Sequence, residues 1–536
     1  MLSLLLALVL AAVPLAPPSL EVLGDEIGTC LGREDPVCAE PLVAEMQRQL
    51  ADSVSAAYSR GVTDFLEGKF AEARVSLQKT AGAVTAPTTL RERAQQYLDL
   101  TISTAEVLEG TKPHKILNGR VTVWLHPGAD EVLLAYIEHV VSRTLPILEQ
   151  AFGAVGDQPI AIHVYPRSED LGRVSGLTVE QIRNSGTIAL CKYNRVMITS
   201  PQDLVFGYAW ADTVAHELTH WFVIKRGGPG VPVWLHEGLA RSFEGVWRGR
   251  PAALLDRSER QALLAARGKK KFITLARMSP SMALLPSQED TQLAFAEVHH
   301  AVGWLLAHGG VQESKAGRSS DGQAGRLVSY FGQGLDENGA LQKFSSLNPT
   351  QFAAAWKKDL MAVDLREQND PEQQLRRPEK LYFKSAGGTA AVLKSLGGDA
   401  RKFAELGDRL AVAHRPLAAA IEYRKAMAAG QSDGPLLPTR LVRVLLDLNK
   451  PDEAMDYLKP ALEAWPEHAP LHILAGRAHL AAGKYREALE ALERAAWFNP
   501  FDPQLHDLAA QAHDALGEAH EATQARARQK LVGSGL

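Results

Sequence analysis

The residues best suited to chemistry lie in the pentapeptide His216-Glu217-Leu218-Thr219-His220, which Glu237 follows seventeen residues later. Two histidines four residues apart on a helix project from one face, so one tetrahedral zinc ion can accept both. Glu217 points toward the same side, at a distance suited to a water molecule on the metal. The pentapeptide therefore supplies two metal ligands and a general base.

The sequence around this motif predicts two helices that would carry it. Residues 209–215 and 221–224 contain no Gly or Pro and are apolar enough for a buried helix, and the run Gly227–Gly230 predicts its end. Residues 234–243 predict a second helix, whose Glu237 can be the third protein ligand. Three ligands with an open fourth position are typical of catalytic zinc sites. The alternative is a buried helix whose histidines are satisfied by hydrogen bonds.

The segments HELTH and PVWLHEGLA resemble the gluzincin metallopeptidases, and more narrowly the peptidase-MA-like group of bacterial exported proteins. The resemblance extends from about Val121 to Leu365. It implies an α+β zincin-like domain with a mixed sheet and active-site helices. It also implies a Zn²⁺ cofactor bound by His216, His220 and Glu237, with Glu217 as the catalytic base.

The resemblance also suggests an oxyanion donor, because relatives use a Tyr or His from a later helix. His299 shares one helical stripe with Phe295, Val302 and Leu306, so it faces inward and is the predicted catalytic donor. The alternative for His299 is a core histidine whose hydrogen bonds are satisfied. His236 either lines the cleft or faces solvent.

One departure from the family pattern concerns the support of the metal ligands. The best-known gluzincins have an acidic residue one turn after the glutamate ligand, where this chain has Arg241. The carboxylate that orients a ligand must then come from elsewhere. Asp212, one turn before His216, is a candidate, and a simple first-turn carboxylate is the alternative.

Strand and helix patterns place the motif after a sheet. Residues 120–125, 159–165, 187–191 and 195–199 predict strands, and 131–152 predicts a long amphipathic helix. In zincins an edge strand beside the metal binds extended substrate by backbone pairing, and Thr187–Leu190 is the candidate here. Cys191 in this run is predicted to be a buried structural residue.

The C-terminal part predicts an all-α solenoid of tetratricopeptide repeats. Ala454 and Ala488, Ala461 and Ala495, and Pro466 and Pro500 are each thirty-four residues apart. Such repeats present a surface to a protein partner, or alternatively pack on the catalytic domain as a scaffold. The predicted domains are a signal peptide (1–18), a helical TPR-like segment (19–112), a zincin-like peptidase domain (113–366), a linker (367–400) and TPR repeats (401–536).

The N-terminus predicts export. Residues 1–16 are apolar and uncharged but shorter than the roughly 20 residues of a membrane-spanning helix, which fits a secretory signal. An uncleaved anchor near the membrane, or a buried helix of a cytosolic protein, are the alternatives. Cys30 and Cys38 lie close enough to form a disulfide without requiring one. The net charge of −4 gives no electrostatic reason to expect nucleic acid.

We therefore expect a zinc-dependent endo- or aminopeptidase in the periplasm or envelope of a bacterium. Its partners would be a peptide or protein substrate in the cleft and a protein on the TPR surface. Two alternatives stay open at this stage. One is a catalytically inactive TPR binding scaffold, and the other is a zinc hydrolase of a non-peptide cell-wall amide, which would use the same water activation.

Overall fold

The computed structural model describes residues 19–155, 158–185, 187–252, 254–279, 281–282, 285–309, 322–365, 381–384, 387–430 and 434–533. The predicted signal peptide and residues 367–380 of the predicted linker lie outside the described residues. The chain divides into two compact units, one that ends at Leu98 and one that begins at Asp99.

The first unit is helical. A disulfide between Cys30 and Cys38 joins its first two helices, and Gly61 lies against Leu77 in a close helical hairpin. This hairpin corresponds to the TPR-like segment predicted from the sequence. The helices are α1 (Leu20–Gly32), α2 (Pro36–Gln49), α3 (Val54–Glu67), α4 (Phe70–Ala81) and α5 (Thr88–Val107), the last of which crosses into the second unit.

The second unit begins with a mixed five-stranded sheet of order β1-β2-β3-β5-β4. Its central pairs β2-β3 and β3-β5 are parallel, and both edge pairs are antiparallel. The first strand was not predicted, because only its last residue is buried and it lacks a clear apolar alternation. The strands are β1 (Lys112–Ile116), β2 (Val121–Leu125), β3 (Ile160–Tyr165), β4 (Ala189–Lys192) and β5 (Arg195–Thr199).

Helices cover both faces of this sheet. Ile162 and Val164 of β3 and Ile198 of β5 belong to the large core cluster that also contains the buried side chains of α6 and α9, whereas Tyr165 and Met197 face α7 and α8. The helices of this part are α6 (Leu133–Phe152), α7 (Ser168–Ser175), α8 (Val179–Ser185), α9 (Trp210–Gly227), α10 (Val233–Phe243), α11 (Arg257–Lys269), α12 (Gln288–His308), α13 (Gln323–Gly332), α14 (Glu337–Ser345) and α15 (Pro349–Ala362). The predicted α+β class with a mixed sheet is confirmed.

The C-terminal part is a stack of helical hairpins, as the thirty-four-residue period predicts. A short helix precedes four successive pairs, each of which packs as a hairpin. These helices are α16 (Gly388–Lys394), α17 (Gly398–Val412), α18 (Pro416–Ala428), α19 (Leu436–Asp447), α20 (Pro451–Ala464), α21 (Ala469–Ala481), α22 (Tyr485–Ala496), α23 (Pro503–Ala515) and α24 (Ala519–Gly533).

The repeats pack on the N-terminal end of α9. The indole N–H of Trp210 donates to the carbonyl of Ala496 at 3.0 Å, and the ring of Trp247 makes an edge contact with that of Trp497. Gly207 has a φ of +75°, and a Cβ there would lie 2.1 Å from the Phe498 carbonyl oxygen. The backbone of the two parts therefore meets with no room for a side chain, and both belong to one compact unit.

Among the described residues, we find no helix with both the length and the apolar character that crossing a membrane requires.

One polar contact recurs with the repeat. Nε2 of His472 lies 2.7 Å from the Pro466 carbonyl oxygen, and His506 makes the same contact with Pro500. Each histidine thus ties a helix to the loop before it. Burial lowers the pKa of His506 to about 4, since the charged ring would lose its hydration.

The burial of His506 predicts acid sensitivity of the repeats. As pH falls below about 6.5 the unfolded chain binds a proton on His506 before the folded chain does, so stability is lost between pH 6.5 and about 4. Between pH 7 and pH 5, wild type should lose about 2 kcal/mol of unfolding free energy through His506, and His506→Gln should not. The variant should therefore gain this amount of stability relative to wild type. Urea denaturation at both pH values measures this gain. The exposed-site variant His520→Gln is the control, and an equal gain in that variant would contradict the assignment.

Candidate metal centre

Two helices carry the motif residues. Helix α9 ends at Gly227, and the following Gly228 has a φ of +67°, which confirms the predicted stop. Helix α10 begins after Pro232, and its buried Trp234 and Leu235 fix it against the core. The turn between the helices brings Glu237 over the face of α9 that carries both motif histidines.

Three side chains converge at this crossing. Nε2 of His216 and Nε2 of His220 each lie 3.5 Å from Oε2 of Glu237. The potential ligand atoms of the three residues all lie within 4.8 Å of one another. The structure thus brings together the three residues that the sequence predicts as metal ligands.

The distances fit a tetrahedral zinc ion. With metal–ligand bonds of about 2.0–2.2 Å, two tetrahedral ligands are about 3.3–3.5 Å apart. The two nitrogen–oxygen distances in the cluster match this separation. Two imidazoles and one carboxylate are also a ligand set that zinc uses in catalytic sites. The cluster can therefore hold a zinc ion.

The second nitrogen of each histidine has its own partner. Nδ1 of His216 lies 3.3 Å from Oε2 of Glu244, and Nδ1 of His220 lies 3.1 Å from Nδ1 of His236. Burial lowers the pKa of His236 to about 3, so its ring is neutral and can accept the proton of His220. With each Nδ1–H donated outward, each Nε2 keeps its lone pair for a metal ion.

The field at the cluster favours positive charge. Burial alone would lower the pKa of His216, but its hydrogen bonds to Glu237 and Glu244 raise it to about 10. The pKa of Glu237 lies well below its ordinary value, because both histidines outweigh the effect of burial. The carboxylates that stabilise a proton on His216 would also stabilise a bound cation.

Glu217 stands beside this cluster as a buried carboxylate. Its carboxylate accepts a hydrogen bond from the backbone N–H of Cys191 in β4. Its Oε2 is buried and has no hydrogen-bond partner among the described residues. Burial raises the pKa of Glu217 above its ordinary value, which brings it closer to neutral pH. Such an oxygen can accept a hydrogen bond from a water molecule on the metal.

The edge strand lies next to these groups. Strand β4 ends the sheet and packs against α9, which agrees with the edge position predicted for Thr187–Leu190, although the paired segment is Ala189–Lys192. Cys191 is only partly buried, so the prediction of a buried structural residue was wrong. The contact between Cys191 and Glu217 couples the strand to the motif helix.

Asp212 does not orient the metal ligands. Its Oδ1 accepts the indole N–H of Trp247 at 2.8 Å, and its Oδ2 accepts a guanidinium N–H of Arg248 at 2.8 Å. The partner of His216 is instead Glu244, one turn beyond Arg241. The alternative prediction for Asp212 is therefore the correct one: it is a carboxylate in the first turn of α9 that does not support a metal ligand.

The position of His299 does not fit the oxyanion role. The residue is buried, with Nδ1 3.0 Å from Oε1 of Glu259 and Nε2 3.1 Å from the carbonyl oxygen of Ala252. Both ring nitrogens already face acceptors, so neither is left to donate to a substrate oxygen. The inward position that the helical stripe predicts is correct, and the residue is a satisfied core histidine.

Sequence reasoning missed Glu244 and the part that His236 takes. Glu244 follows Glu237 by seven residues, two helical turns, and therefore lies on the same side of α10. That spacing could have indicated it once Arg241 had ruled out the usual position. The Nδ1 contact of His236 depends on side-chain orientation, for which the sequence carries no signal.

Comparison with known proteins bears on both parts of the chain. Residues 141–317 match the model of the Peptidase MA superfamily, and residues 417–512 match a tetratricopeptide repeat model. The chain thus matches a peptidase-MA-like protein with C-terminal tetratricopeptide repeats. The peptidase-MA-like match contains His216, His220, Glu217, Glu237 and His299. No curated protein matches the chain.

Solved structures resemble the chain only distantly. TTC0263, a thermophilic TPR protein in Thermus thermophilus, is 21% identical over 25% of this chain and 74% of its own, with a TM-score of 0.24. MamA AMB-1 is 19% identical over 28% of this chain and 94% of its own, at 0.23. The P58(IPK) TPR domain is 12% identical over 93% and 89%, at 0.21.

Close helix packing at Glu237 gives a prediction about Gly238. A Cβ at this position would lie 2.4 Å from Cγ2 of Val302 and 2.6 Å from the Val298 carbonyl oxygen, both on α12. Gly238→Ala should therefore push α10 away from α12 and cost about 1–3 kcal/mol of unfolding free energy. Chemical denaturation measures the loss. Gly268→Ala, where a Cβ meets nothing within 4 Å, is the control, and equal stability of both variants would contradict this packing.

Proposed function

We propose that this protein is a zinc metallopeptidase of the gluzincin type that acts as an endo- or aminopeptidase. The observation that supports this most is the convergence of two Nε2 atoms and one carboxylate beside Glu217, whose buried Oε2 has no partner among the described residues. A structural zinc site would use four protein ligands, whereas the described cluster contains three and a neighbouring base.

His216, His220 and Glu237 would hold the ion. A zinc ion bound there would supply Lewis acidity toward a water molecule and a substrate carbonyl. Glu217 would accept the proton of the attacking water on Oε2 and return it to the leaving amine as the peptide bond breaks. The hydrogen bond from the Cys191 backbone would help to hold the Glu217 carboxylate in place during both transfers.

Substrate would bind along β4. This strand ends the described sheet, so one of its sides faces no other strand, and an extended peptide can pair with it by backbone hydrogen bonds. The same strand contacts Glu217 through Cys191. Pairing there would therefore place a peptide carbonyl near the base, which favours a peptide over a compact non-peptide substrate.

The repeats would bind a protein partner and also support the catalytic part. Tetratricopeptide repeats suggest protein interaction, and the contacts of Trp210 and Trp247 with the repeats lie at the start of the motif helix. We propose residues 113–366 as the catalytic domain and 401–536 as the repeat domain. A partner on the repeats would then bind to the same compact unit that contains the metal-ligand cluster.

We also propose that the protein is exported to the bacterial envelope. The disulfide between Cys30 and Cys38 is of the kind that persists in oxidising compartments. It agrees with the apolar N-terminal run in residues 1–16.

Substitution of the base tests the mechanism. Glu217→Gln should retain zinc, because Glu217 is not a ligand, and should lower kcat on a fluorogenic peptide mixture by at least about 100-fold. His216→Ala should lose both zinc and turnover. Metal analysis and peptide hydrolysis are measured on the same samples.

Asp212→Asn is the matched control. It removes a carboxylate that also lies on α9 but contacts Arg248 instead of the metal-ligand cluster. Its turnover should stay near that of wild type. Undiminished hydrolysis by Glu217→Gln would refute the assignment of the base.

A further inference from the structure

We propose that Glu244, Arg241, Glu259 and His299 form a chain of hydrogen-bonded polar groups, here called the charge chain, that positions His216 for the metal. The proposal rests on the metal site of the proposed function. It makes these four groups positioning residues, because none of them belongs to the predicted ligand set or acts as its base.

The first link is the contact between Glu244 and His216. Oε2 of Glu244 lies 3.3 Å from Nδ1 of His216, and the carboxylate is buried. Glu244 begins the turn after α10, so its position relative to α9 is not fixed by that helix alone. A second contact is therefore needed to hold the carboxylate at this distance.

Arg241 supplies that contact. Its Nη1 lies 2.9 Å from Glu244, while its Nη2 and Nε lie 2.8 and 3.2 Å from Oε1 of Glu259. The planar guanidinium thus bridges one carboxylate from the α10 region and one from α11, with the fork geometry that lysine lacks. Arg241, which departs from the family pattern, therefore holds Glu244, the carboxylate that contacts His216 in place of the usual acidic residue.

Glu259 and His299 anchor the far end. Oε2 of Glu259 accepts the backbone N–H of Asp256 in the capping box of α11, and Oε1 also contacts Nδ1 of His299. His299 is fixed in turn by the Ala252 carbonyl. Both Glu259 and His299 are buried, with 4% and 2% of their side chains exposed. Low exposure limits screening by water and makes each contact costly to break.

The chain joins the motif helix to α10, α11 and α12. Rotation of the His216 ring would break its contact with Glu244, and movement of Glu244 would leave one side of the partly buried Arg241 guanidinium unpaired. Metal affinity should then depend on Glu259, although two residues separate it from His216. Removal of such supporting contacts typically weakens metal binding by roughly 10–100-fold.

The experiment measures zinc affinity by competition with a chromophoric chelator at pH 7.5, alongside the melting temperature of each apoprotein. Glu244→Gln and Glu259→Gln should each raise the zinc Kd by about 10-fold or more. Arg241→Lys keeps the charge but loses the bridge, and should also weaken binding. Asp212→Asn, which removes a carboxylate from the same helix as His216 but outside the chain, should leave the zinc Kd within about 2-fold of wild type.

A merely structural role would lower the melting temperatures without moving the zinc Kd of the folded protein. Wild-type affinity in folded Glu259→Gln and Arg241→Lys would overturn the charge chain while leaving the metallopeptidase proposal intact. Equal weakening in Asp212→Asn would overturn it too, because the effect would not be specific to the chain. Wild type that binds no zinc would instead refute the proposed function itself.

Discussion

The crossing of α9 and α10 is the constraint on which the rest of the structure depends. It must hold the two histidine Nε2 atoms about one zinc-ligand separation from the Glu237 carboxylate, and both distances are 3.5 Å. Three packing contacts hold the two helices at this crossing. The sheet packs against α9, and the repeats contact the start of α9 at Trp210. Helix α12 approaches α10 so closely that only a glycine fits at position 238.

Placing these groups near one another removes several charges partly from water, which costs free energy. The structure offsets this cost by placing groups of opposite charge next to each other. His216 lies between Glu237 and Glu244, and Arg241 lies between Glu244 and Glu259. Each of these buried or partly buried groups thus has a neighbour of opposite charge, which is the condition under which ions are tolerated away from water. Glu217 differs from this pattern, because its Oε2 lacks a partner among the described residues.

Much of the site could be predicted because its spacing follows from helix geometry. The four-residue interval of His216 and His220 fixes their shared face, and the WLHEGLA helix supplies Glu237. Strands β2 to β5 and the repeats also follow from local patterns and from the thirty-four-residue period. These signals are local in sequence, so a single chain suffices to detect them.

The misses at the site have one physical cause, which is that long-range polar pairing leaves no periodic pattern in the sequence. The helical stripe correctly turned His299 inward, but it could not reveal that Glu259, forty residues earlier, would occupy its Nδ1. Asp212 lies at the right helical distance from His216, yet Arg248 and Trp247 hold it elsewhere. Strand β1 escaped notice because a mostly exposed edge strand needs little apolar alternation.

The most direct test of the central claim is the zinc content of wild type and His220→Ala, purified without chelators and measured by mass spectrometry. We expect about one zinc per chain in wild type and almost none in His220→Ala. A well-folded wild type without zinc, or equal zinc in both proteins, would contradict it. In the first case, the convergence of His216, His220 and Glu237 would be a hydrogen-bonded cluster and the repeats would carry the function.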